Sequence, residues 1–252
     1  MYSGTYVITD HVYEIRSIYG DIHALCSDYR ADNVQKAETV IVTAEADIEY
    51  ERKKAKSEAE FAGYAYKEPP KGYLETLAVY RKIATHAVSR GMFLFHCSAI
   101  SLDGTAYAFT AKSGTGKSTH TALWRKMFGD RAVMINDDKP IIGVRDGVAT
   151  VYGTPWNGKH GLGKNVAVPL KAICFLSRGA ENRIRKVADK GAIMLRLLNQ
   201  TFRPTDAGAL KRTLELLDEL FSCVEFYALE CNMDDEAALV SFNGMNGGTE
   251  RD

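Results

Sequence analysis

The run Ala111-Lys-Ser-Gly-Thr-Gly-Lys-Ser118 constrains the fold more than any other stretch of the chain. It stands between a β-like segment, TAYAFT, and a helical stripe of Leu123, Trp124, Met127 and Phe128 that Gly129 can end. Strand, glycine-rich loop and helix in that order make a phosphate cradle, here the Walker A pattern with Ala111 in place of its first glycine. Gly114 and Gly116 let backbone N–H groups turn inward, and a helix beginning near Lys117 adds the positive end of its dipole. The pattern gives Ser113, Gly114, Thr115, Gly116, Lys117, Ser118 and Thr119 to a nucleoside triphosphate such as ATP. Lys117 supplies the charge for the β and γ phosphates, and Ser118 offers a hydroxyl to Mg²⁺, with Thr119 as a second candidate.

Two Asp-Gly dipeptides bring further groups to this loop. FHCSAISL and TAYAFT flank Asp103-Gly104, a pair suited to a two-residue type I′ turn. That register pairs Leu102 with Thr105 and, carried outward, sets His96 opposite Ala111. PIIGV and VATVY flank Asp146-Gly147 in the same way, which sets Asp138 opposite Pro155. The segment 154–164, with Trp156, Lys159 and His160, is thereby expected beside Asp137 and Asp138.

A nucleotide site needs a carboxylate for its metal, and Asp137-Asp138 follow the β-like run AVMI. Adjacent residues of an extended chain point to opposite sides, so one carboxylate can hold Mg²⁺ while the other accepts a proton from an attacking hydroxyl. His96 is a third candidate, within reach of phosphate oxygens or the acidic pair. His120, Arg196 and Arg203 are weaker ones. Trp156 has two readings, a stacking platform for a base or an anchor for its loop.

The rest of the chain limits partners. With 32 basic and 32 acidic residues the formal charge is zero, so nothing indicates a general affinity for nucleic acid or anionic membrane. No apolar run approaches the roughly 18 residues of a membrane span, and the first residues lack a signal-peptide pattern, which predicts a cytoplasmic protein. The five cysteines are scattered without CxxC spacing and read as reduced thiols.

Residues 1–70 are expected to form a small β-rich region. TYVIT, VYEIRSIY, IHALCSDY and ETVIVTAE serve as antiparallel strands, and the charged stretch from Glu51 to Lys71 as a linker. Residues 71–243 follow as the nucleotide-binding domain, entered by a helix over 72–90. It continues with strand LKAICFL, helices AIMLRLLNQTF and AGALKRTLELLDELF, strand VEFYALEC and a short helix DEAALVSF. Residues 244–252 are expected to be a disordered tail.

HCSAISLDGTAYAFTAKSGTGKST followed by INDDKP resembles the catalytic core of the HPr kinase/phosphorylase family, most nearly its HPr kinase-related proteins. SGTGKST is also similar to the loop of phosphoenolpyruvate carboxykinases. The resemblance covers about Phe93 to Gly161 and implies an α/β fold, a mixed-sheet P-loop kinase core. It further implies catalytic roles for His96, Lys117, Asp137 and Asp138, with Asp137 as proton acceptor and Ser118 and Asp138 as metal ligands. The implied activity is transfer of the γ-phosphoryl group of ATP to a hydroxyl of a protein, peptide or small molecule, a serine foremost, with a homo-oligomer left open. Phosphorylase or carboxykinase-like chemistry and a non-catalytic nucleotide-binding regulator are the alternatives. Ala111 departs from the family's first glycine, and the N-terminal region does not resemble the family's regulatory domain.

Overall fold

The computed structural model describes residues 1–31 and 36–247. Two compact units, Met1–His86 and Ala87–Asp252, divide the chain.

The first unit begins with an antiparallel pair, β1 (Tyr2–Ile8) and β2 (His11–Ser17), joined at Thr9 and Asp10, both at positive φ. Period-two alternation puts Tyr6, Ile8, Tyr13 and Ile15 in the core. The segment IHALCSDY is no strand: it forms α1 (Asp21–Leu25) and a 3-10 turn. β3 (Thr39–Val42) then pairs with β2 in parallel, not antiparallel as expected.

The stretch expected to be a linker lies mostly in α2 (Glu45–Ala62). Its charges are helix-forming Glu and Lys, and Lys53–Glu49, Lys54–Glu58 and Lys56–Glu60 pair one turn apart. Asp47 accepts the N–H of Ala44 at the start, and Gly63 at φ 75° ends the helix. α3 (Lys71–Ser89) follows, and the division between the units falls inside it, beyond the Pro69-Pro70 edge expected from sequence. One helix therefore carries the chain across the division, and the prolines only punctuate its start.

The second unit is a mixed α/β layer structure. Its strands are β4 (Met92–Leu94), β5 (Ser98–Leu102), β6 (Thr105–Thr110), β7 (Ala132–Asn136), β8 (Ile141–Arg145), β9 (Val148–Tyr152), β10 (Ala167–Arg178), β11 (Arg183–Lys186) and β12 (Glu225–Cys231). Its helices are α4 (Lys117–Phe128), α5 (Lys190–Leu198), α6 (Ala207–Leu220) and α7 (Glu236–Met245). Among the described residues the strand order is β4-β8-β9-β10-β6-β5-β7, with β12 beside β10 and β11 outside it. The long β10 lies at the branch. Its first residues pair antiparallel with β9, and the rest lie parallel to β6 and β12.

Both Asp-Gly turns form as expected. Leu102 pairs with Thr105 and Arg145 with Val148, and all four turn residues have positive φ. Alternation along β6 and β10 then builds a core on each face. Ala106, Ala108, Ile173 and Phe175 pack with Leu216 and Leu217 of α6, while Tyr107, Phe109, Cys174 and Leu176 pack with Trp124 of α4 and Ala238 of α7. The parallel strands β6, β10 and β12 end on the same side, where open α/β sheets leave a crevice.

Gly244 to Gly247, expected in a disordered tail, are ordered because Met245 is buried and Asn246 accepts from Tyr107 and Lys171. The remainder of that expectation, residues 248–252, lies outside the described residues. All five cysteines are free thiols. Among the described residues, no helix is long and apolar enough to cross a membrane.

Candidate functional site

β6 ends at Thr110, α4 begins at Lys117, and the loop between them occupies the carboxyl end of the parallel strands. Gly114 has φ 78° and Gly116 φ 122°, while a Cβ on either would meet nothing, so backbone conformation is what requires glycine here. Thr115 N–H bonds Lys112 O at 3.2 Å, which closes the loop into a turn. No side chain caps α4, so its first N–H groups are left for another acceptor. Ser113 and Thr119 are exposed, and Ser118 is half-buried in the first turn of α4.

Lys117 is only 8% exposed and reaches back to donate to Ala111 O at 3.1 Å. Burial lowers its pKa, while the nearby Cys97, Asp138 and Asp137 act in the opposite direction. The lysine and both aspartates therefore share one electrostatic site.

The acidic pair is held by the residue before it. Asn136, fully buried at the end of β7, accepts the N–H groups of Asp138 and Lys139 at 2.8 and 2.7 Å. Its amide donates to Thr154 O and Thr154 Oγ1, both at 3.1 Å, and thus ties the acidic turn to the 154–164 segment. Gly158 packs so closely that an added Cβ would lie 3.1 Å from Asp137 Oδ2.

The two carboxylates have different surroundings. Asp137 is 6% exposed and accepts from Ser98 Oγ at 2.6 Å. Ser98 Oγ lies 2.9 Å from Thr121 Oγ1, which is itself within bonding distance of the carbonyls of Lys117 and Ser118. Asp137 is thus connected to the first turn of α4. The Asp138 side chain is 29% exposed, with Oδ1 3.3 Å from His96 Nε2 and Oδ2 accepting from Lys139 Nζ at 3.0 Å.

His96 lies in the connection between β4 and β5, where Thr110 donates to its carbonyl at 2.9 Å. The expected pairing of His96 with Ala111 does not form: the hairpin ladder ends at Ser98 and Phe109, and the His96 N–H instead bonds Gln200 O at 2.7 Å. The other ring nitrogen, Nδ1, lies 2.9 Å from Gln200 Oε1. Burial lowers the His96 pKa, Lys117 adds to that effect, and Asp138 opposes it. The imidazole is therefore biased toward the neutral form and, in one tautomer, can take a proton at the nitrogen facing Asp138.

Several groups here carry no sequence motif. Ser98 and Gln200 become visible only through their bonds to Asp137 and His96. Arg178, at the end of β10, donates to Gly114 O at 2.5 Å and to Thr115 O at 3.2 Å. Asn136 alone had a legible signal, as the first residue of an Asn-Asp-Asp turn. Of the weaker candidates, His120 is buried against Ser241, Lys159 and His160 are exposed on their loop, and Trp156 is buried as an anchor. Arg196 reaches the cavity described below, whereas Arg203 is exposed away from it.

Two cavities flank the loop. One of about 460 Å³ is bordered by Gly116, Thr119, Leu123, Asn232 and Met233. The other, about 850 Å³, begins at Thr110, Ala111 and Lys112 and extends over Phe175 toward Gln200.

Among the described residues no three His, Cys, Asp or Glu side chains gather as a metal cluster. The donors present, one hydroxyl and a carboxylate pair next to a phosphate-type loop, instead fit Mg²⁺ arriving with a nucleotide, because Mg²⁺ commonly takes one or two carboxylates plus substrate phosphates.

No known family's sequence pattern matches the chain. No curated protein matches it either. A solved structure of the Hpr(Ser) kinase/phosphatase from Coxiella burnetii is similar to it with a TM-score of 0.29 and 12% identity, over 51% of this chain and 91% of that one.

Proposed function

We propose that the second unit is a phosphotransferase that moves the γ-phosphoryl group of a nucleoside triphosphate, ATP foremost, to a hydroxyl acceptor. One observation carries this reading: buried Lys117, at the end of a glycine loop, shares its field with Asp137 and Asp138, and Asp138 touches His96. A loop for phosphates alone supports binding. Carboxylates and an imidazole beside it add what transfer to a hydroxyl requires.

In this reading the loop N–H groups and Lys117 hold the phosphates, and Ser118 with Asp137 would hold Mg²⁺, which neutralises charge on the triphosphate. Asp138, the more exposed carboxylate, accepts the acceptor's proton with His96 beside it. This reverses the order that the sequence resemblance implies. It rests on the link from Asp137 through Ser98 and Thr121 to the first turn of α4, and on the contact of Asp138 with His96. The acceptor oxygen bonds to the γ phosphorus as the bond from that phosphorus to the bridging oxygen breaks, and the nucleoside diphosphate leaves. Catalysis is mainly positioning and charge neutralisation. The cavity along Gly116 and Thr119 suits the nucleoside.

The test is incubation with γ-labelled ATP, Mg²⁺ and cell extract separated into protein, peptide and small-molecule pools. Label should enter a pool, and Asp138→Asn should reduce it at least tenfold with little change in ATP affinity. ATP binding without label in any pool would leave only a nucleotide-binding regulator. Unchanged ATP affinity in Lys117→Ala would remove the nucleotide site itself.

A further inference from the structure

The 850 Å³ cavity on the far flank of the loop is strongly basic. Lys112 comes from the loop, Arg183 and Arg185 from alternate positions of β11, and Arg196 from α5, against the carboxylate of Glu230. Positions two apart on a strand share a face, so the two β11 arginines line one wall together. Arg183 is paired with Glu181, but Arg185 and Arg196 have no acidic partner among the described residues. Arg196 lies over the Phe175 ring, 5.1 Å from its centroid, which holds the guanidinium along the cavity floor.

The cavity also adjoins the chemistry. Gln200 and Thr110 are part of its lining, and they are the residues that bond the ring and the carbonyl of His96. A volume of this size suits a small ligand or a few residues of extended peptide. Guanidinium groups recognise carboxylates through paired N–H donors, and several unpaired cations around one space select an anionic occupant.

We propose that this cavity is the acceptor site and that it selects a hydroxyl acceptor with flanking carboxylates, either an acidic peptide segment or a small hydroxy acid. The arginines hold the carboxylates while the hydroxyl faces His96 and Asp138. The inference rests on the phosphotransferase reading for the hydroxyl's role, whereas the anion site itself is testable without any turnover.

The probe is a fluorescently labelled Glu-Asp-Ala-Asp-Glu peptide, which has no hydroxyl to phosphorylate, compared with Gly-Asn-Ala-Asn-Gly and Lys-Arg-Ala-Arg-Lys at low salt. The intact protein should bind the acidic peptide at least tenfold more tightly than the neutral one. Arg185→Gln with Arg196→Gln should abolish that preference without changing MgATP affinity. Arg185→Glu with Arg196→Glu should shift it to the basic peptide, a gain that unfolding cannot produce. Malate displacing the acidic peptide at comparable concentration would identify a small hydroxy acid as the source of the carboxylates, and failure to displace it would identify a peptide. Equal binding of acidic and neutral peptides would overturn the proposal while leaving phosphotransfer untouched. A loss of MgATP affinity matching the loss of peptide would also overturn it, by assigning the arginines to the nucleotide.

Discussion

Ser98 Oγ donates to Asp137 Oδ1 at 2.6 Å, and through that bond the start of β5 fixes a carboxylate at the end of β7. Ser98 is fully buried, so no solvent can replace the donor without rearrangement. Removing one partner of a buried bond leaves the other desolvated, a cost of about 1–3 kcal/mol. Ser98→Ala should therefore lower the unfolding free energy measured by urea titration by that order and reduce phosphotransfer further by freeing Asp137. Unchanged stability together with unchanged activity would show that the bond orients nothing.

Gly158 should be sensitive in activity more than in stability. A Cβ there would sit 3.1 Å from Asp137 Oδ2 and 3.2 Å from Asp137 O, too close for ordinary contact yet relieved by a small shift. Gly158→Ala is expected to cost about 1 kcal/mol or less in unfolding free energy, at the mild end of overpacking, while transfer falls roughly tenfold, a change of about 1.4 kcal/mol in the barrier. Steady-state assay beside urea titration separates the two effects. Equal loss of both would point to general misfolding.

Arg178 holds the loop through the carbonyls of Gly114 and Thr115, at the wall of the cavity bordered by Gly116 and Thr119. Under the proposed function, fixing those two peptide groups fixes the loop backbone that would meet phosphate. The arginine is solvent-exposed, so its contribution is modest. Arg178→Gln should weaken nucleotide binding by about 3- to 10-fold, corresponding to roughly 1 kcal/mol of net hydrogen bonding, with little change in melting temperature. Titration with a fluorescent ATP analogue measures it, and wild-type affinity would remove the staple role.

His120 should make the fold acid-sensitive. Ser241 donates to Ala238 O, so its oxygen accepts from Trp124 Nε1 and from His120 Nε2, and His120 Nδ1 is left without a partner among the described residues. Burial lowers the pKa of the ring from 6.5 to about 4. The unfolded chain therefore takes up this proton near pH 6.5 and the folded chain only near pH 4, so stability falls as pH drops through that window. The full loss is about 3 kcal/mol. Urea midpoints at pH 7 and 4.5 should differ less in His120→Gln than in the parent protein; an equal difference would exclude this histidine as the cause.

Much of the site region was legible because its signals are local. A strand, glycines at 114 and 116, and an amphipathic stripe ended by Gly129 specify loop and helix without reference to the rest of the chain. Two Asp-Gly turns fix their hairpin registers, but neither ladder runs as far as the expected pairs His96–Ala111 and Asp138–Pro155; of the 154–164 segment, Gly158 does pack against Asp137. Local signals misled in the first unit. A charged stretch poor in branched residues read as linker, but its one-turn Glu and Lys spacing and high propensity made α2. IHALCSDY carried mixed β signals and was decided by packing, with Ile22 and Tyr29 buried.

By itself, then, the sequence determined the loop, its helix and the two hairpins, since each depends on neighbours a few residues away. Only tertiary structure decided which groups meet across long separations: Gln200 on His96, Ser98 on Asp137, Arg178 on the loop, and the arginines of β11 and α5 around one cavity. Those contacts join segments as much as a hundred residues apart, such as His96 and Gln200. Sheet order and burial set them, and neither is written in any short stretch of the chain.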